Sequence, residues 1–280
     1  MERHEEISRS IIKKFRKDIW CRFIKAIERY DLIQPNDKIG VCISGGKDSF
    51  LLAMCMRELS RHWVVPFEVV FLSMDPGYNE ANRAQIIKNA DIMKLDVNFF
   101  QSDIFDVVDT VGGSPCYLCA RMRRGYLYKA ARDAGCNKIA LGHHFNDVVE
   151  TILMSMTYGA EYKTMMPKLR ATNFVGMELI RPLYMVKEQA IIDWAKYNEL
   201  EFIRCACRFT AESAHNEENS KRLETKRLIA KLKETNPHVD DNIFTSSHNV
   251  GLDTVIGYRT KGKRVSFLDT YYDDGEPSEE

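Results

Sequence analysis

Ser44-Gly45-Gly46-Lys47-Asp48-Ser49 is the segment whose residue types most clearly point to chemistry. It lies between a short apolar run, Ile39-Gly40-Val41-Cys42-Ile43, and a helical pattern that begins near residue 47. Two glycines let the backbone turn tightly and approach a ligand without a Cβ in the way. The N–H groups at the start of the following helix would face an anion, and the helix dipole favours one there. Ser44 and Ser49 add hydroxyl donors and Lys47 adds a cation, so the chemistry is phosphate binding. Asp48 suits such a loop if it orders the backbone or holds Mg²⁺. The spacing is neither GxxxxGK[ST] nor GxGxxG, which sets the loop apart from the common kinase and dinucleotide patterns.

Cysteines form the second group. Cys116-Tyr117-Leu118-Cys119 precedes an arginine-rich helical pattern, and Cys205-Ala206-Cys207 follows much later. A CxxC pair suits a redox dithiol, zinc or an iron–sulfur cluster. The pair falls after the third expected strand, far from the first βα unit, which disfavours the redox reading. If residues 201–207 are extended, Cys205 and Cys207 point to opposite faces, and only one can join Cys116 and Cys119. Three thiolates with an open fourth position differ from a closed structural zinc site. Cys21, Cys42, Cys55 and Cys136 lie on helical or strand patterns or beside a turn, and read as small core residues.

The elements that must position these groups follow from periodicity. Ile7, Ile11, Ile12, Phe15, Ile19, Trp20, Phe23 and Ile27 predict an amphipathic helix over 7–30. Strands are expected over 39–43, 67–74, 96–101, 138–142 and 178–183. Helices are expected over 47–61, 79–94, 120–134, 146–158, 187–198 and a basic 218–234. This βαβα order predicts a Rossmann-like, mainly parallel sheet with helices on both faces, and helical elements at both ends. In such sheets a ligand lies beyond the C-terminal ends of the strands, which brings Met74 into consideration beside the loop. The expected organisation is an N-terminal helical element over 1–35, the α/β domain over 36–210, a C-terminal helical element over 211–268 and an acidic tail, disordered, over 269–280.

The chain has 280 residues, with 40 Lys+Arg against 40 Asp+Glu. Neutrality at first argues against a nucleic-acid partner, but Asp269 to Glu280 carry six acids and no Lys or Arg, leaving 1–268 at a formal +6. No run of about 18 apolar residues exists, so no membrane span is expected, and the charged first residues show no signal peptide. A cytoplasmic location with reduced cysteines is the expectation.

Loop and cysteines together resemble the tRNA 2-thiocytidine synthetases, the TtcA family of PP-loop thiolation enzymes. The loop fits the PP-loop pattern SGGxDS, and the resemblance spans about residues 15–255. It includes Cys-Tyr-Leu-Cys-Ala-Arg-Met-Arg-Arg-Gly (116–125), Ala-Leu-Gly-His-His (140–144) through Asp147, Met-Pro-Lys-Leu (166–169), Ile-Arg-Pro-Leu (180–183) and Phe-Ile-Arg-Cys (202–205). It implies an adenine nucleotide α-hydrolase-like fold and an ATP-dependent tRNA-cytidine 2-sulfurtransferase acting at C2 of cytidine 32. It also implies ATP, Mg²⁺ and a [4Fe-4S] cluster held by Cys116, Cys119 and Cys205, with Cys207 as the alternative third ligand. Lys47, Asp48 and Asp147 take catalytic roles in that reading. Ser44, Gly45, Gly46, Ser49, Met74, Gly142, His143 and Arg181 bind the nucleotide, and Arg121, Arg123, Arg124 and Lys168 contact RNA. The family's Asp-Asp after Gly-His-His is Asn146-Asp147 here, so only Asp147 carries over. The partners implied are tRNA, a sulfur donor such as a cysteine desulfurase or free sulfide, and a second copy in a homodimer. Rival readings are thiolation of another tRNA base, transfer of sulfur to a small molecule, and a nucleotide-binding regulatory module with structural zinc.

Overall fold

The computed structural model describes residues 1–102, 115–203 and 221–271, excepting the side chains of 115–121, 123 and 270. Six strands form the main sheet: β1 (Lys38–Cys42), β2 (Glu68–Asp75), β3 (Val97–Gln101), β4 (Lys138–Ala140), β5 (Lys168–Arg170) and β6 (Glu178–Ile180). Their spatial order is β3-β2-β1-β4-β6-β5. All pairings are parallel except that of β5 with β6, which is antiparallel at the edge. The order reverses direction at β1, so the loop after β1 lies at the topological switch point where open α/β sheets bind ligands.

Alternation along the strands supplies both faces of the sheet. Ile39, Val41, Phe71, Ala140 and Ile180 join the core on one face, while Cys42, Leu72, Ile139 and Leu179 join the core on the other. Helix α3 (Lys47–His62) packs on the first face, buried from Ser49 through Met56. Helix α5 (Pro115–Asp133) covers the second, where Tyr128 and Ala131 meet the sheet. Gly40 allows that approach, since a Cβ there would come within 2.9 Å of Leu72 Cδ1 and 3.3 Å of Ala131 Cβ. Helices α4 (Glu80–Ile92), α6 (Phe145–Gly159) and α7 (Glu188–Tyr197) complete the α/β layers.

The N-terminal helix differs from a plain amphipathic helix. It comprises α1 (Arg3–Arg9), two π-helical turns (Ser10–Lys14 and Arg16–Trp20) and α2 (Cys21–Arg29). Its buried residues Ile7, Ile11, Ile19, Phe23 and Ile27 recur at multiples of four. In a regular α-helix that stripe would rotate by about 40° per step, and the wider turns return it to the core. Cys21 is exposed, a departure from its expected place in the core, because it lies off this stripe.

Three further features depart from the sequence reading. Helix α5 starts at Pro115 rather than near 120, so Cys116 and Cys119 lie inside its beginning and not ahead of it. Proline at a first helical position has no N–H to leave unpaired, which suits a helix start. The C-terminal region holds α8 (Lys221–Thr235) and α9 (Val239–Ser246), but then a hairpin of β7 (Gly257–Thr260) and β8 (Lys263–Ser266). A short helix, α10 (Leu268–Tyr271), follows in the first residues of the expected tail. No helix among the described residues is long and apolar enough to cross a membrane.

Candidate active site

Strand β1 delivers the chain into the glycine loop, and α3 leaves it with Gly46 as N-cap and no side chain capping the helix. The first-turn N–H groups therefore remain available to an anion. Gly45 has φ 87°, and a Cβ there would lie 2.4 Å from Ile203 Cδ1. The loop also closes on itself. Ser49 Oγ donates to the Gly46 carbonyl at 2.8 Å and accepts from Ser44 N at 3.1 Å. Ser49 is buried, so its hydroxyl shapes the loop, while Ser44 is exposed.

Gly142 holds a second segment against the loop: a Cβ on it would come within 3.1 Å of Asp48 C and Ser49 N. The chain then enters α6 through His143 and His144. Asp147 Oδ2 accepts from the His144 backbone N–H at 3.0 Å, closing the first turn of α6 as a capping box. Asn146, where the family pattern carries an acid, accepts the Glu188 backbone N–H on Oδ1 at 2.9 Å and so joins α6 to α7.

These segments bring an alternating set of charges together. Lys47 Nζ lies 3.2 Å from both Asp48 Oδ1 and Glu188 Oε1. His144 Nε2 lies 3.9 Å from the same two carboxylate oxygens. Helix α8 supplies further cations. Lys226 stands 3.4 Å from Glu188 and 3.6 Å from Glu150, and Arg222 stands 3.1 Å from Asp147 and 2.8 Å from Glu150. Burial pushes the Asp48 carboxyl up, against the pull of His144 and Lys47. Burial would also raise Asp147, but His144, its backbone N–H and Arg222 outweigh it and hold Asp147 down. Glu188 is likewise held down, burial being outweighed by His144, Lys226 and Lys47. His143 is pushed down to about 4 by burial and by Arg181, so it is neutral at pH 7.

Sequence reasoning placed Lys47, Asp48, Gly142, His143 and Asp147 here, and the fold brings them together. It passed over His144, Glu150, Glu188, Arg222 and Lys226. Glu150 carried a signal, being an acid on the apolar side of the 146–158 helical pattern, and it is 2% exposed. Arg222 and Lys226 read as one basic helix face, and nothing in the sequence says which acids they meet.

The remaining expected residues spread further. Arg181 follows β6, is 6% exposed and donates to the Met166 carbonyl. Burial lowers it to about 10, which leaves it charged at neutral pH. Met74, near the end of β2, packs against Phe100, Met122, Tyr126 and Leu127. Lys168 is not brought to the loop. Its Nζ donates to the Asp31 carbonyl at 2.7 Å and lies 3.9 Å from Glu178, at the opposite end of the strands. Arg124 is exposed on α5. Cys116, Cys119, Arg121 and Arg123 lie on α5 with side chains outside the described residues, and Cys205 and Cys207 lie outside them altogether.

An uncapped helix N-terminus behind a Gly-Gly turn, at the C-terminal edge of a parallel sheet and beside Lys47, defines a PP-loop nucleotide-binding protein. The PP-loop domain family matches residues 14–208. The tRNA-cytidine(32) 2-sulfurtransferase of Syntrophotalea carbinolica is 35% identical over 242 residues, which is 81% of this chain and 86% of that protein. The protein of the same name from Citrifermentans bemidjiense is 34% identical over 230 residues, 81% of this chain and 88% of that one. The chain belongs to this family of PP-loop proteins, the tRNA-cytidine(32) 2-sulfurtransferases. The solved U34-tRNA thiolase NcsA from Methanococcus maripaludis, with its [4Fe-4S] cluster, shares the fold. The TM-score is 0.62 at 18% identity, covering 85% of this chain and 82% of that one.

Proposed function

We infer that this protein is an ATP-dependent tRNA sulfurtransferase, adenylating the C2 oxygen of cytidine 32 and replacing that oxygen with sulfur to give 2-thiocytidine. The observation that carries the reading is the contact of Ile203 with Gly45. It brings the chain back to the phosphate loop at a point two residues before Cys205 in the sequence. Helix α5 starts at the same edge of the sheet, as a crossover helix between parallel strands must, and carries Cys116 and Cys119 one turn apart.

The nucleotide fits the site on its own chemistry. The free N–H groups of α3 and the Lys47 ammonium would hold the phosphates, and Gly45 and Gly46 allow the backbone to approach them. A ring carbonyl oxygen is a poor leaving group, and its attack on the α-phosphate, with release of pyrophosphate, makes it a good one. Lys47 balances charge developing on the phosphates, with Glu188 fixing the position of its amine. Asp48 and Asp147 are the carboxylates for Mg²⁺, an ion that keeps several waters and needs only one or two protein ligands beside substrate phosphates. Neutral His143 can donate or accept one hydrogen bond without adding charge.

The chemistry of the donor set, a CxxC pair and a third thiolate, fits a [4Fe-4S] cluster held by Cys116, Cys119 and Cys205, with Cys207 the alternative. When bound, the cluster supplies a Lewis-acidic iron at which sulfur is held as a deprotonated nucleophile. The named thiolase of the same fold carries such a cluster. Arg121, Arg123 and Arg124, one turn further along α5, are the cations for the anticodon loop. A cytoplasmic homodimer fed by a cysteine desulfurase or free sulfide completes the reading.

Mass spectrometry of tRNA nucleosides from cells with and without the gene tests it. Loss of 2-thiocytidine on deletion is expected, and its persistence removes the assignment. Cys116→Ala should abolish thiolation and keep ATP binding. Tightly bound zinc with no reconstitutable iron in anaerobically prepared protein would overturn the cluster.

A further inference from the structure

The β7–β8 hairpin is built from residues that weaken it as an isolated unit. Arg259 stands directly opposite Arg264 in the strand register, and like charges facing across two strands are destabilising. The turn places Lys261 at φ 47° and Gly262 at φ 79°, a type I′ pattern whose first position favours Asn, Asp or Gly. From Gly257 to Ser266 there are four cations and no acid. All four are exposed, and none is joined to an acidic group among the described residues. A two-stranded hairpin is marginal even without these costs, so the charge is placed where local stability argues against it.

Arg259 and Arg264 line a groove together with Tyr258, Tyr162 and Lys163. The groove's acid, Glu161, is paired with Lys163 at 3.4 Å. Tyr162 is exposed and fixed through its hydroxyl to Ser246 Oγ at 2.9 Å. One wall of the groove begins at Ala160, the residue that ends α6. The other end of α6 carries His144 and Asp147, about 22 Å away along the helix axis.

We propose that this hairpin and groove bind the phosphate backbone of the RNA substrate, at a point removed from the reacting base. The inference rests on the tRNA thiolation reading and extends it. Unpaired cations on an exposed ribbon bind phosphates by charge, and a neighbouring fixed tyrosine offers a face for a base or sugar. Exposed Val250, Leu252 and Ile256 beside the groove would suit a protein partner. Four cations with no acidic partner among the described residues favour RNA.

The test compares the full chain with R259A/K261A/K263A/R264A, measuring affinity for full-length tRNA across a range of salt. The quadruple variant should bind at least about tenfold more weakly at low salt, and its log K versus log salt slope should fall by about 2 to 3. ATP affinity should not change, and the thermal midpoint should not fall, since the substitutions remove facing like charges. R259K/R264K should bind like the wild type, because a phosphate contact here needs charge rather than a guanidinium fork. A single-stranded anticodon-loop oligonucleotide should bind wild type and quadruple variant alike. An unchanged tRNA slope in the quadruple variant, with a wild type that thiolates tRNA, overturns this proposal alone and leaves the face to a protein partner. A wild type that binds no tRNA removes the thiolation reading and this proposal together.

Discussion

At Gly45 two independent constraints exclude any other residue. Its φ of 87° costs an L-residue about 1–2 kcal/mol, and the space for a Cβ is filled by Ile203. Gly45→Ala should therefore weaken ATP binding by at least about tenfold, measured by calorimetry, with a smaller loss in thermal stability. His143 makes a prediction of opposite kind. Its folded pKa of about 4 lies below the ordinary value of 6.5, so the unfolded chain takes up the proton first as pH falls. The stability this residue supplies is complete above pH 6.5 and is lost as pH drops toward 4, about 3 kcal/mol. Urea titrations at pH 7 and pH 4.5 should show that slope, and His143→Gln should flatten it. The family resemblance singled out His143 and passed over its neighbour His144. The turn into α6 sends one toward Arg181 and the other among the carboxylates.

Helices α6 and α8 show how an element acquires a role its sequence does not state. Glu150 is 2% exposed, and removing one partner of a buried charge leaves the other uncompensated. Arg222→Ala should lower the unfolding free energy read from urea titration by about 2 kcal/mol, less than a full buried-pair loss because Lys226 stays at 3.6 Å. The double variant Glu150→Gln/Arg222→Gln should recover part of it, since position 150 no longer carries a buried charge. A continuous apolar run made β1 legible, because its two faces enter two different cores. The three-residue β5 was not legible, since Lys168-Leu169-Arg170 has no length in which a pattern can repeat, and only pairing with β6 defines it. The hairpin escaped for a related reason. Its strands are largely exposed, so no buried face imposed an apolar alternation.

At the scale of the whole molecule the charge balance of zero conceals an opposition. Residues 272–280 hold five acids and no Lys or Arg, directly after a hairpin rich in cations. Removing them takes the formal net charge from 0 to +5. The truncated chain should bind tRNA several-fold more tightly at low salt, and the difference should vanish at high salt as screening shortens the reach of charge. Equal affinity at every salt concentration would make the acidic residues bystanders. Truncation at 272 spares Asp269, whose carboxylate accepts the Ser266 N–H at 2.8 Å.

The sequence by itself determined the phosphate loop, the parallel α/β order and the cysteine positions. Each of these is written locally: glycines before a helix, short apolar runs between helical patterns, thiols three residues apart. Only the tertiary structure decided which charges share the site. Lys47, Glu188 and Lys226 lie on three helices far apart in the chain, and their attraction depends on distances set by packing. The same holds for Ile203 against Gly45, where the close approach of two distant segments decides what the loop can be.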